Sequence, residues 1–214
     1  MVIPSRLFEY IIAAMIIILA PGPSVLFVIA RAIACGRKVA VVTVAGNVTG
    51  AFVLSSLVAF GLGPILQRSD LAFAAVQWGG GLYLVHLGID AIRQRVSTAE
   101  SIVAVAGSAP AKLKTIQQGF VVGILNPKVI VFFAAVLPHF VDPEYASITS
   151  QLFTLGAVFC VFGFIFDSAY GLLAGTARDW FASSPKRLVT MRSAGGVVMM
   201  LLGLATILTA PRPW

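Results

Sequence analysis

A chain of 214 residues that is 59% hydrophobic and only 11% charged, with a mean hydropathy of +0.98, carries about half the charged share of an ordinary soluble domain. Its net charge of +7 could suggest a nucleic-acid binder, but so few charges in so apolar a chain exclude a basic soluble surface. Six apolar runs, roughly 7–30, 40–66, 72–92, 117–139, 152–175 and 193–210, each supply about the 20 residues that cross a hydrocarbon layer of about 30 Å. They leave almost nothing for a soluble domain.

The first run opens beside Arg6 and Glu9 and continues through Pro21-Gly22-Pro23-Ser24 with no small-residue cleavage site after it. It therefore reads as a span and not as a signal peptide. Proline removes a backbone donor and clashes with the preceding turn. In a bilayer the freed carbonyls survive only where protein or a polar cavity supplies partners. The second run carries Thr43 and Asn47 on one face, with Gly46 and Gly50 four apart. The third carries Gln77, Gly80-Gly81, Tyr83, His86 and Gly88. A linker over 93–115, rich in Ser, Ala and Lys, separates it from the fourth run, which holds Gly119, Gly123 and a second break at Asn126-Pro127-Lys128. The fifth contains Cys160, Asp167, Tyr170, Gly171 and Gly175, and the sixth Gly195-Gly196 with Gly203.

Counting loops alternately from the N-terminus, eleven Lys and Arg fall on one side and three on the other. By the positive-inside rule this places loops one, three and five in the cytoplasm and both termini outside. The basic excess is thus topological; it touches anionic lipid headgroups and not nucleic acid. Pro21 and Pro127 are 106 residues apart, as are Gly50 and Gly156, while Gly80-Gly81/Gly88 recurs as Gly195-Gly196/Gly203. The expected fold is an all-α membrane protein of six transmembrane helices, built as a 3+3 inverted-topology repeat. Its halves are 1–92 and 116–210, joined by the cytoplasmic linker 93–115 in a single transporter domain. Paired interrupted segments of this kind point to a transporter's binding site. The glycines four apart read as packing faces within the bundle; a homodimer built on one of them is left open.

Lys128 and Asp167 are the charges set deep in the spans. A charge at that depth is costly and marks a functional site by default, and the economical solution is for the two to face each other or a shared cavity. Broken helices expose N–H groups that favour anions and carbonyls that favour an ammonium, and a zwitterionic amino acid needs both. The candidate substrate residues are Pro21, Gly22, Pro23, Ser24, Asn47, Tyr83, Asn126, Pro127, Lys128 and Asp167. In this reading Asp167 is the proton-responsive group and Lys128 its partner or a carboxylate anchor. Substrate entering between them favours protonation of Asp167, and its outward release restores the pair and expels the proton inward. Thr43 and Thr49 are expected to bond their own helix. Tyr170 divides evenly between an interhelical hydrogen bond and a cavity wall. His86 and His139 read as interfacial, and Cys35 and Cys160 as small hydrophobes. No catalytic, metal or cofactor site is expected. Three competing readings are kept: export of another solute or a metal ion, an assembly subunit, and a membrane-embedded hydrolase using Ser24 with Lys128.

The breaks at Pro21-Gly22-Pro23 and at Gly123-Ile124-Leu125-Asn126-Pro127-Lys128, with Leu137-Pro138-His139-Phe140-Val141-Asp142-Pro143, Gly80-Gly81-Leu82-Tyr83-Leu84 and an acidic residue at Asp167, resemble the LysE/RhtB family of amino-acid exporters over nearly the whole chain. The resemblance implies a bacterial inner-membrane protein that exports amino acids or their analogues, by antiport with protons. The family often has Asp, Asn or Gln where this chain has Ser24, so substrate identity does not carry over.

Overall fold

A computed structural model of the chain describes residues 6–62, 69–97, 111–177 and 184–208. Among the described residues the fold is all-helical, without strands. Helix α1, Leu7–Leu19, stops where the prolines begin: Ala20, before Pro21, is extended, with ψ 113°, as a residue preceding proline prefers. Gly22 is the extended N-cap of α2, Pro23–Cys35, and Pro23 occupies the first helical position, where its missing N–H costs nothing. The two helices meet at 51°. Gly36, with φ +87°, ends α2 in a conformation that only glycine adopts freely and lets α3, Arg37–Leu57, start at once.

Helix α3 runs on into a π-helical turn, Val58–Leu62. Helix α4 spans Asp70–Arg93 and α5 spans Lys112–Ile124. Asn126 caps α6, Pro127–Val131, by accepting the Lys128 N–H at 3.2 Å. That segment continues through a π turn, Phe132–Val136, and a 3₁₀ turn, Leu137–Phe140, and the broken pair is bent by 44°. Helices α7, Ile148–Thr176, and α8, Pro185–Leu208, complete the chain. Among the described residues three unbroken segments, Arg37–Gly61, Ile148–Thr176 and Lys186–Leu208, are long and apolar enough to cross a membrane, and the two bent pairs, each counted as one span, bring the number to five. Helix α4, the third expected span, has the length to cross but is not among these five.

Several helices begin earlier than the apolar runs: α5 starts at Lys112 and α8 at Pro185, not near 117 and 193. Hydropathy marks the apolar stretch, whereas backbone hydrogen bonding carries a helix onward into basic turns whose long side chains reach polar surroundings. Residues 98–110 of the linker, the ends of two runs and the side chain of Gln77 lie outside the described residues, as do Arg68, Arg178 and Arg212.

Glycines set the closest helix contacts. Gly46 and Gly50 of α3 lie on the backbone of α5 at Ile116 and Phe120, while Gly119 and Gly123 of α5 lie on Thr43 and Asn47 of α3. Helices α4 and α8 meet reciprocally, Gly81 on Gly203 and Gly88 on Gly196. Such faces let backbones approach where a side chain would separate them. Helix α7 runs through the centre against α1, α2 and α3.

The two ends of the bundle differ. At one, Tyr10, Phe132, Phe133 and Phe159 form a buried aromatic cluster. Nearby, the fully buried Gln151 ties the 141–147 loop by donating to the Asp142 and Ala146 carbonyls at 2.6 and 2.8 Å. Arg6 pairs with Glu9 and donates to the His139 carbonyl at 2.8 Å. At the other end the basic residues gather: Arg31 donates to Gln118 at 2.6 Å, Arg37 packs on Gly175, and Arg192 donates to the Ala91 carbonyl at 3.2 Å.

Candidate functional site

The two breaks lie side by side. Asn126 Nδ2 donates to Ser24 Oγ at 2.9 Å, across 102 residues of sequence, well within the one helix diameter that a shared site requires. The chemistry of the first break follows from its prolines. In an unbroken helix the carbonyls of Ile17 and Leu19 would accept from residues 21 and 23, but both are proline and have no N–H. Lys128 Nζ donates to the Ile17 carbonyl at 2.9 Å and to that of Ala20 at 2.8 Å. Tyr170 Oη donates to the Leu19 carbonyl at 2.9 Å. One ammonium and one phenol from distant helices thus take the carbonyls that the prolines orphan. The ammonium at this helix C-terminus also complements the helix dipole. Gly22 makes room for it: a Cβ there would sit 3.2 Å from Lys128 Cδ, Cε and Nζ.

Asp167 faces the same region from α7. It is 6% exposed, and its Oδ2 accepts from Asn47 Nδ2 at 3.1 Å. No ion pair joins Asp167 to Lys128 among the described residues. Instead both border one small cavity of about 30 Å³, together with Ser24, Asn47, Phe159 and Cys160. That volume admits one or two water-sized groups and not an amino acid. Asn47 Oδ1 is buried at this cavity without a hydrogen-bond partner, a costly state that an incoming donor would relieve. Of the three ammonium donors of a lysine, two are engaged on the α1 carbonyls. The side opposite the basic end is sealed by the aromatic cluster, to which Phe159 belongs.

A second, larger cavity of about 170 Å³ lies on the other side of Lys128, toward the basic end. Pro21, Gly22, Pro23, Pro127 and Lys128 border it. So do Asp90 and Arg192, which the sequence reading did not select. Their only sequence signal was charge near the ends of two spans, which ordinarily marks an interface. Tyr170 makes the interhelical hydrogen bond that was one of its two expected roles, to a carbonyl that only the bent backbone makes available.

Of the ten candidate residues, nine gather at the breaks and the two cavities. Tyr83 does not: it is 45% exposed on α4 and lies against His86, so it lines neither cavity. Thr43 and Thr49 bond their own helix through the Val39 and Ala45 carbonyls, both at 2.8 Å. His86 sits 3.3 Å from Asp90 at an exposed position. Ser24 and Lys128 are not hydrogen-bonded to each other, so a nucleophile–base pair is not formed there. Among the described residues no group of three or more His, Cys, Asp or Glu could hold a metal ion.

The sequence profile of the LysE type translocator family matches residues 15–209. The homoserine/homoserine lactone efflux protein of Salmonella typhimurium (strain LT2) is 31% identical over 196 residues, covering 92% of this chain and 93% of the relative. An uncharacterized membrane protein of Vibrio cholerae is 28% identical over 195 residues, covering 91% and 93%. The leucine efflux protein of Enterobacter sp. (strain 638) is 25% identical over 203 residues, covering 95% and 94%. No solved structure matches the chain. Both proline breaks fall inside the matched segment, and the relatives align over more than nine-tenths of their own length. This protein therefore belongs to the LysE type translocator family and is a multi-pass membrane protein.

Proposed function

We propose that the protein exports amino acids or closely related zwitterions from the bacterial cytoplasm across the inner membrane, in exchange for protons. The observation that carries this reading is the pairing of opposite chemistries across one buried cavity. On one wall, Asp167 and the unpartnered Asn47 Oδ1 are both acceptors suited to an ammonium. On the other, Lys128 and Ser24 are donors suited to a carboxylate. The relatives are named for the efflux of homoserine, homoserine lactone and leucine, which share an α-amino group, so the Asp167–Asn47 wall is the common element. The cavity in this conformation is too small for such a molecule, and alternating access requires it to widen and close in turn. The aromatic seal at one end and the larger cavity at the other support a cytoplasm-facing state.

The reciprocal glycine contacts between α4 and α8 support the inverted repeat of halves 1–92 and 116–210 within one transporter domain. Gly81 meets Gly203 and Gly88 meets Gly196, and if Gly81 corresponds to Gly196 and Gly88 to Gly203 this is the exchange a two-fold axis produces. The axis would run between the two breaks. With α4 counted as a span, the helices number six.

Coupling follows from competition. A carboxylate cannot hold both a proton and a substrate ammonium, and Asp167 is the acid bordering the inner cavity. This reverses the order expected from the sequence, in which substrate entry broke an Asp167–Lys128 pair and favoured protonation: substrate arriving from the cytoplasm displaces the proton inward, and after outward opening an external proton displaces the substrate. Because Asp167 rests on Asn47 and not on Lys128, exchange at Asp167 does not require an ion pair to break. The test is uptake of labelled amino acids into inverted vesicles with an imposed pH gradient, acid inside. The native protein should be stimulated by the gradient. Asp167→Asn should keep substrate exchange at zero gradient but lose the stimulation. Unchanged stimulation in Asp167→Asn would remove the coupling role.

A further inference from the structure

The cavity of about 170 Å³ between α4, α8 and the two breaks has features that a filler void lacks. Helices α4 and α8 touch at Gly88 and Gly196, and Asp90 and Arg192 come from the wedge beside that crossing, on the basic side. The guanidinium is anchored, with Arg192 Nε donating to the Ala91 carbonyl at 3.2 Å. The Asp90 carboxylate is held within 3.3 Å of His86 Nε2. Yet no ion pair closes Asp90 onto Arg192 among the described residues, although they stand on adjoining helices and border the same space. Opposite charges near a membrane interior ordinarily pair. Kept apart across a cavity, they form a receptor for a molecule with two opposite charges of its own. Gln94 adds an amide at the rim, and Met199 supplies an apolar wall. Lys128 borders this cavity and the inner one, so its side chain, packed on Gly22, is the partition between them.

We infer that this cavity is a loading site for a zwitterion, with Arg192 receiving the carboxylate and Asp90 the ammonium before the molecule passes Lys128 to the inner cavity. The inference rests on the exporter reading above and assigns it an entry site distinct from Asp167. A guanidinium suits this task because its planar fork matches a carboxylate. The inner cavity would then control turnover, and the outer one apparent affinity.

The experiment measures transport into inverted vesicles for leucine and homoserine, with inhibition constants for the amide and the N-acetyl form of each. The amide lacks the carboxylate and the N-acetyl form lacks the ammonium. Arg192→Gln should raise KM for the free amino acid roughly tenfold or more, as expected for losing a charged hydrogen-bond partner, with kcat little changed. It should leave the inhibition constant of the amide unaltered, and Arg192→Lys should restore part of the loss. Asp90→Asn, which removes the contact to His86 and the charge facing Arg192, should show the mirror pattern and spare the N-acetyl form. If either variant weakens all three forms alike, or none, the loading site is wrong while the exporter reading stands. If the native protein moves neither these two nor any other labelled amino acid of a full set, the exporter reading itself fails and takes this inference with it.

Discussion

At the scale of single residues, the consequential feature is how the first break is satisfied. Two prolines remove two donors, and two side chains from elsewhere in the chain replace them. Lys128 is the deeper replacement, 3% exposed, and Tyr170 the shallower. Tyr170→Phe should therefore leave the Leu19 carbonyl without its partner and destabilise the fold by about 0.5–1.5 kcal/mol, read as a lower melting temperature in detergent. A variant that melts like the native protein would show that another donor takes that carbonyl. Lys128→Met removes the partner of two carbonyls and should cost more, on the order of 1–3 kcal/mol, and should abolish export even where folded protein is recovered. Proline and lysine were both legible in the sequence as unusual at these positions. That they answer one another was not, because a carbonyl orphaned at residue 17 carries no mark of a donor at residue 128.

At the scale of elements, glycine spacing decides which helices come together. A methyl at Gly46 would collide with the Ile116 carbonyl, and one at Gly50 with the Phe120 carbonyl. Backbone cannot swing aside as a flexible side chain can, so α3 and α5 would have to separate. Gly46→Ala should lower stability by about 1–3 kcal/mol, the usual cost of overpacking. Gly79→Ala is the control: nothing lies within 4 Å of a Cβ there. As an exposed glycine inside α4 it should be neutral or stabilising by up to about 1 kcal/mol when replaced by alanine. If the two variants were equally destabilised in detergent melts, helix propensity and not close approach would explain these glycines. The spacing of four was visible in the sequence, and its reading as bundle packing matches the contacts of Gly46, Gly50, Gly119 and Gly123. Which glycine pair meets which was not visible, since the same spacing occurs on several helices. The π turns at Val58–Leu62 and Phe132–Val136 had no sequence signal either: their residues are ordinary apolar ones, and only the packed register reveals the extra residue.

At the scale of the whole molecule, the gathering of Arg31, Arg37 and Arg192 at one end of the bundle gives the positive-inside argument a physical surface. That end should face the cytoplasm, where anionic lipid and the membrane potential favour basic side chains. A reporter that is active only in the periplasm, fused after residue 214, should be active, and one active only in the cytoplasm should be silent. The opposite pair of signals would invert the molecule and turn the proposed entry cavity outward. Orientation also decides the sense of transport, because the larger cavity and the aromatic seal lie on opposite sides of Lys128.

Membrane embedding, the positions of the two breaks and the basic asymmetry were all determined by the sequence alone. Each depends on local chemistry: apolar run length, a missing N–H, or the charge of a loop. The tertiary structure alone decided that Tyr83 points away from the cavities while Asp90 and Arg192 border one of them, and that Asp167 rests on Asn47 and not on Lys128. These outcomes depend on how far each helix is rotated about its own axis. That rotation is set by glycine contacts between segments distant in the chain. A shift of one residue along a helix turns a side chain by about 100°, so a polar residue's depth could be read from the sequence while the direction it faces could not.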